Sequence, residues 1–171
     1  DGYHVPGYPA VLAVFRTIGL SLSWLLLLQC LIAAGSTLVV YQLAQLLTGR
    51  KAPALLAAVL FAIHPTLVVA PAELSGGVMA LALLLLGLWT VAHRDDSDPR
   101  IAALGGLALG LAALFNPTLI WAAPVAGAWL LLTSRNLEAT LITAALLLGA
   151  VAPPGIWMYR NANVGFGATL S

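Results

Sequence analysis

The chain has 171 residues, of which 61% are hydrophobic and only 8% are charged, and its mean hydropathy is +1.01. Soluble domains carry about 25% charged residues, so this composition excludes a water-soluble fold and predicts an all-α, polytopic transmembrane helix bundle. The net charge of +1, without a basic run, excludes nucleic acid as a partner, and a single cysteine excludes a disulfide framework.

Residues 1–19 are predicted to form a polar lead and a short helix that lies in the membrane interface. Asp1–Pro9 contains two prolines and two glycines, which disfavour regular structure. Ala10–Gly19 is apolar apart from Arg16, but it is shorter than the roughly twenty residues that cross a bilayer. Because the chain begins at Asp1 and not at a methionine, we expect further residues upstream.

Six apolar stretches then predict six membrane spans joined by short loops. They are Leu20–Leu47, Pro53–Val69, Gly76–Ala92, Ile101–Phe115, Thr118–Leu132 and Leu137–Ala152. Within them, Cys30 is interpreted as a small buried residue and Pro124 predicts a kink. Pro153-Pro154 predicts the end of the sixth helix.

The positive charges predict the sidedness of the spans. The loops after the first, third and fifth spans carry five of the seven basic residues, whereas the other side has only Arg16 and Arg160. By the positive-inside rule, these three loops are cytoplasmic. A six-span module at 20–157 then sits in a bacterial inner (plasma) membrane, and both visible ends, including a tail at 158–171, lie on its outer side.

With this topology, the unusual polar residues gather on the outer side. His64 and Glu73 stand in the turn between the second and third spans, where such side chains are expensive so close to lipid. Arg160 suits a lipid phosphate, because a guanidinium binds phosphate with a bidentate fork. The other candidates on this side are Asp1, His4, Asn116 and Tyr159.

Each candidate also has a purely structural interpretation. His64 could end a helix, Glu73 could be a solvated loop carboxylate, and Arg160 could anchor the chain at the interface. Asp95, Asp96 and Asp98 resemble a metal cluster, but the arginines on both sides favour a solvated turn. No residue is therefore assigned as a metal ligand.

Several segments, in order, resemble the integral-membrane C-type glycosyltransferases, especially the bacterial relatives of protein O-mannosyltransferases and aminoarabinose transferases. The segments are Pro6-Gly7-Tyr8-Pro9, Leu28-Gln29, Val40-Tyr41-Gln42-Leu43-Ala44, Thr48-Gly49-Arg50, His64-Pro65, Gly106–Ala112, Asn116-Pro117-Thr118, Trp157-Met158-Tyr159-Arg160-Asn161 and Val164-Gly165-Phe166-Gly167. The resemblance spans almost the whole chain, and it implies a partial or divergent member of that superfamily.

The resemblance implies transfer of a sugar from a polyprenyl-phosphate donor to an acceptor at the outer membrane face. Its catalytic carboxylate belongs to a loop upstream of Tyr8, which leaves Asp1 and Glu73 as the visible catalytic candidates. The candidates for substrate binding are His4, Tyr8, His64, Asn116, Tyr159 and Arg160. No cofactor is assigned, and a divalent metal stays open. The expected partners are membrane lipids and the polyprenyl-phosphate sugar.

Two departures from the family pattern keep an alternative open. Relatives often carry Ser-Glu where this chain has Ser75-Gly76-Gly77, and Arg-Pro-Thr where it has Asn116-Pro117-Thr118. Loss of a carboxylate and a cation near one face is typical of a changed substrate or of lost activity. The alternative is therefore a non-catalytic subunit with the same fold, whose partners are the protein subunits of a larger membrane complex.

Overall fold

The computed structural model describes residues 5–93, 98–133, 137–165 and 170. In these ranges every regular element is a helix, which confirms the all-α prediction. The α-helices are α1 (Gly7–Thr17), α2 (Leu22–Thr48), α3 (Lys51–Ala62), α4 (Pro65–Val69), α5 (Gly77–Ala92), α6 (Pro99–Phe115), α7 (Ala122–Thr133) and α8 (Leu137–Asn163). Short 3-10 helices at Ala70–Ala72 and Pro117–Trp121 extend α4 and lead into α7.

The bundle has a surface suited to lipid and an interior of small residues. Leu38, Leu47 and Leu148 are 67%, 71% and 75% exposed, whereas Ala54 and Ala112 are fully buried. Helices in lipid gain nothing by hiding leucine from the equally apolar lipid tails, and they pack best where small residues let backbones approach. This distribution identifies a membrane protein.

Two helices in the described part of the chain, α2 and α8, are long and apolar enough to cross a membrane, at 27 residues each. Lys51–Ala62 and Pro65–Ala72 together would make a third span, bent by 59°. Gly77–Ala92, Pro99–Phe115 and Pro117–Thr133 are apolar but shorter. Each predicted span therefore corresponds to a helical unit, and the number of units that cross the bilayer stays a prediction.

Helices α5 to α8 form what we call the packed half of the bundle. A Cβ atom at Gly106 of α6 would collide with the carbonyl of Leu146 in α8, and one at Gly110 with the carbonyl of Ala150. Because both members of this pair advance by four residues together, α6 and α8 run parallel. The core of this half consists of Val91, Ala102, Leu109, Ala123, Ala126, Leu130, Ile142, Leu146 and Ala150.

Helices α2 to α4 form the open half. Pro65 disfavours helical backbone at the residue before it, and His64 is extended, with φ −63° and ψ 122°. The bend that results leaves a cavity of about 500 Å³ between α2, the α3–α4 pair and the start of α5. Small residues line much of it, namely Ala33, Ala34, Ala62, Ala70, Ala72 and Gly77.

The helix α8 runs straight through Pro153-Pro154 to Asn163, so the prediction that it ends at these prolines is wrong. Both prolines are buried, and the Cδ of Pro153 lies 2.9 Å from the position that a Cβ at Gly110 would take. Packing against α6 therefore holds the helix together where its own hydrogen bonds are lost, as is common in membrane helices.

Two smaller predictions are also wrong. Pro9 lies in the first turn of α1, so regular structure starts earlier than expected, at a position where a missing N–H has no partner to lose. Pro124 lies in the first turn of α7, just after the 3-10 helix that leads into it, and the kink there stays a prediction. Cys30 is exposed and lines the cavity, because α2 is not packed on that side.

Candidate functional site

Several helix ends meet where α1 packs on the bundle. A Cβ at Gly7 would lie 2.6 Å from the carbonyl oxygen of Leu114 and 2.8 Å from the ring of Phe115. A Cβ at Gly76 would lie 3.0 Å from the same ring and 3.4 Å from the Cβ of Tyr8. The start of α1, the end of α6 and the residue before α5 therefore form one surface, which we call the α1 end.

Helix α2 reaches the α1 end through Gln29, whose side chain is fully buried. Its Nε2 donates a hydrogen bond of 2.9 Å to the carbonyl of Ser75. The Tyr8 side chain lies beside it. Tyr8 Oη and Gln29 Oε1 are both buried, and neither makes a hydrogen bond of good geometry within the described part of the chain. Burial raises the pKa of Tyr8, and the proximity of Gln29 opposes this shift only in part.

The last turns of α8 reach the same end, because α8 runs parallel to α6 and continues beyond it. There the guanidinium carbon of Arg160 lies 4.8 Å from the centroid of the Trp157 ring. Arg160 Nη1 also donates a hydrogen bond of 3.0 Å to Oδ1 of the fully buried Asn161. A cation on an aromatic face is stabilised by the ring's electrons, and Arg160 itself is exposed, so its charge is oriented and accessible to a ligand.

The other predicted residues are exposed and have local roles. Glu73 follows the 3-10 helix Ala70–Ala72, and its carbonyl accepts a hydrogen bond of 2.9 Å from the backbone N–H of Ser75. His64 is the extended residue at the break before α4. Asn116 Oδ1 accepts hydrogen bonds of 3.2 Å and 2.8 Å from the backbone and hydroxyl of Thr118. The Asn116 side chain thus caps the 3-10 helix that follows it.

The structure brings Tyr8, Glu73, Asn116 and Arg160 to one end of the bundle, but it does not join them through side chains. Within the described ranges, no hydrogen bond or ion pair links the side chains of Glu73 and Arg160 to each other. Tyr159 is 72% exposed on the outside of α8. Asp1 and His4 lie outside the described residues, so their roles stay predictions.

Two polar residues of this end were not selected from the sequence as site candidates. Gln29 and Asn161 are both completely buried in otherwise apolar surroundings, and buried amides are expensive unless they bond. In the sequence, both residues belong to segments that resemble the family, Gln29 is an isolated amide within an apolar run, and Asn161 stands beside Arg160. None of these signals reveals the partner.

The acidic loop before α6 acts as a helix cap in its described part. Asp98 Oδ1 accepts a hydrogen bond of 2.9 Å from the backbone N–H of Arg100. Asp95 and Asp96 lie outside the described residues. In the part of the chain that is described, no three His, Cys, Asp or Glu side chains come close enough to hold a metal.

Comparison with known proteins finds a matching family. The family model described as dolichyl-phosphate-mannose-protein mannosyltransferase matches residues 3–157, which is most of the chain. No curated protein and no solved structure matches the chain. The matched range takes in α1 to α7 and most of α8, and it stops just before Arg160 and Asn161.

Proposed function

We propose, because this chain belongs to the dolichyl-phosphate-mannose-protein mannosyltransferase family, that it is the membrane module of a glycosyltransferase. The proposed reaction moves a sugar from a polyprenyl-phosphate donor to an acceptor at the outer face of a bacterial inner membrane. The family implies a lipid-linked sugar donor. The carrier lipid, the outer orientation of both visible ends and the inner-membrane location belong to the proposal.

The observation that carries the proposal is the arrangement around Arg160. The Trp157 ring and the buried Asn161 hold the guanidinium at the α1 end, at the same end as Tyr8 and Glu73. A lipid phosphate is the ligand that a guanidinium at the end of a membrane helix suits best. In the reaction Arg160 would stabilise the negative charge on the departing lipid phosphate.

The acceptor needs a base at the same end, and Glu73 is the described carboxylate proposed for it. The acceptor oxygen or nitrogen would attack the anomeric carbon and give its proton to Glu73. The bond from that carbon to the phosphate oxygen would break, with the electron pair leaving on the phosphate. Tyr8, His64, Asn116 and Tyr159 would contact the sugar or the acceptor, and His4 would join them from the N-terminal lead. Asp1, in the same lead, is the second carboxylate proposed for catalysis.

The cavity in the open half is the proposed place for the isoprenoid part of the donor. It lies beside the segment that carries Glu73, since Ala70, Pro71 and Ala72 line it. Its walls are mainly apolar and its residues small, so an isoprenoid chain could replace lipid there at little desolvation penalty. Cys30 on the cavity wall gives a place to probe this by chemical labelling.

The test compares two arginines of the same chain. Purified protein in lipid nanodiscs is titrated with polyprenyl phosphate, with Arg160→Ala as the variant and Arg16→Ala, an exposed arginine on α1, as the control. We expect Arg160→Ala to weaken binding about tenfold or more, since hydrogen bonds to charged groups contribute about 1.5–3 kcal/mol. Arg16→Ala should bind like the native protein. Equal binding by both variants would remove Arg160 from the donor site.

A second function is favoured by one observation, the lack of any side-chain link between Glu73 and Arg160 within the described ranges. The alternative is a non-catalytic subunit that uses the same fold as a scaffold in a membrane complex. Incubation with polyprenyl-phosphate sugars, followed by mass spectrometry of donor and acceptor, separates the two. Release of polyprenyl phosphate supports the enzyme, whereas no turnover together with stable co-purification of other subunits supports the scaffold.

A further inference from the structure

Gln29 is the most unusual side chain of the open half. It is fully buried in the 27-residue apolar helix α2, and an unbonded amide in such a place is strongly disfavoured. One half of its amide is satisfied, because Nε2 donates to the carbonyl of Ser75 at 2.9 Å. The other half, Oε1, makes no hydrogen bond with the residues that the structure describes. The side chain is therefore placed for its contact with residue 75.

The segment that receives this bond has few other ties. Glu73 donates its N–H to Ala70 in the preceding 3-10 helix, Ser75 donates its N–H to Glu73, and the Gly76 carbonyl accepts the N–H of Ala80 in the first turn of α5. Among the described residues, Gln29 makes the one side-chain hydrogen bond that reaches residues 73–76 from another helix. On the other side, Tyr8 packs against Gly76. The turn is thus continuous with α5 through Gly76 and is fixed to the rest of the bundle from α2 and from α1.

We infer that Gln29 is a positioning residue, which fixes the 73–76 turn through Ser75 and so sets the location of the Glu73 carboxylate at the α1 end. The importance of this for sugar transfer rests on the proposed function, in which Glu73 is the base. The positioning itself does not depend on the reaction. Loss of the Gln29 amide should release the turn even in a protein that transfers no sugar.

The first experiment measures release of the turn without any activity assay. Cys30 is replaced by alanine, Ser75→Cys is introduced as a half-buried reporter, and the rate of maleimide labelling is followed in nanodiscs. We expect Gln29→Leu to raise the labelling rate roughly fivefold, the effect of losing one hydrogen bond. Ser36→Ala is the matched control, because the buried Ser36 hydroxyl bonds only within α2, to Ile32 at 2.8 Å, and it should leave the rate unchanged.

Two further variants separate positioning from general loosening of the fold. Gln29→Asn keeps an amide but is one methylene too short for Ser75, and it should label as fast as Gln29→Leu. With both variants measured at about pH 5, Gln29→Glu should label more slowly than Gln29→Leu, because a buried carboxyl is protonated there and donates as the amide does. Labelling of Gln29→Leu at the native rate, or of Gln29→Glu at about pH 5 at the Gln29→Leu rate, would overturn the inference.

The two proposals fail in different ways. If the native protein turns over a polyprenyl-phosphate sugar, Gln29→Leu should lower kcat while donor binding stays as in the native protein, since Arg160 is untouched. If the native protein turns nothing over, the proposed function fails, and the labelling rates still decide the role of Gln29.

Discussion

The packed half and the open half of the bundle differ in how closely their helices approach one another. In the packed half, glycines at 106 and 110 let α6 approach the backbone of α8 so closely that a single added methyl group would collide. In the open half, α2 meets a helix that bends by 59° and leaves a cavity of about 500 Å³. One half is close-packed, and the other has room.

This difference in packing indicates that the two halves have different roles. Close packing fixes the ends of α6 and α8, and these ends hold Phe115, Arg160 and Asn161 at the α1 end. A cavity beside the 73–76 turn gives a ligand somewhere to go without separating packed helices. We therefore expect substitutions in the packed half to act on stability, and those in the open half to act on ligand binding and local mobility.

The largest contrast should come from adding the same side-chain volume to each half. Ala112 of α6 is fully buried, so Ala112→Leu should destabilise the fold by about 3 kcal/mol, because overpacking forces helices apart. Ala33 faces the cavity, and Ala33→Leu should change stability by less than about 0.5 kcal/mol. Thermal unfolding in detergent measures both. A similar loss in the two variants would show that the cavity is not open to a larger side chain.

The same comparison between the two halves can be made with a smaller change, the addition of one methyl group to a glycine in each half. Gly106→Ala places its Cβ against the carbonyl of Leu146 and should cost about 2 kcal/mol. Gly35→Ala on α2 meets nothing within 4 Å and should be neutral or stabilise the protein by up to about 1 kcal/mol, since alanine is the better helix former. Reversible unfolding in denaturant would decide, and equal effects at the two positions would contradict parallel close packing of α6 and α8.

The helices could be predicted from the sequence, because a backbone in lipid must satisfy its own hydrogen bonds and a helix does so. Six apolar stretches predicted six helical units, and the short helix predicted after Pro9 corresponds to α1, whose location in the membrane interface stays a prediction. Small residues such as the glycines at 105, 106 and 110 favour close approach of helices, but they do not identify the partner helix. That α8 is the partner follows from contacts about forty residues apart, for which local patterns carry no information.

The wrong predictions likewise result from contacts between residues that are far apart in the sequence. Pro153-Pro154 obeys the local rule that proline ends a helix, and packing against Gly110 overrides it. Arg160 was selected because a guanidinium suits a lipid phosphate, whereas its contact with Trp157 depends on α8 continuing past the prolines. Gln29 was not selected as a site residue, since its partner Ser75 lies 46 residues away. Sequence patterns thus identified the exposed part of the α1 end better than its buried supports.

The smallest expected effect on stability is that of Tyr8, which lies between the two halves. Tyr8 contacts Gln29 on one side and Gly76 on the other. Burial raises the pKa of Tyr8 above its ordinary value of 10.0. The folded protein therefore keeps this proton at a pH where the unfolded chain releases it. The sign follows by linkage: the contribution of Tyr8 to stability is fully present below pH 10.0 and declines as the pH rises above it.

Tyr8→Phe removes this titration while keeping the side-chain Cβ against Gly76. The difference in unfolding free energy between the native protein and Tyr8→Phe should be constant at lower pH and should shift against the native protein above pH 10.0. Below that range the variant should lose little, because the Tyr8 hydroxyl makes no hydrogen bond of good geometry with the described residues. A constant difference in unfolding free energy through the alkaline range would mean that the Tyr8 hydroxyl is solvated. Water would then reach the contact between the two halves.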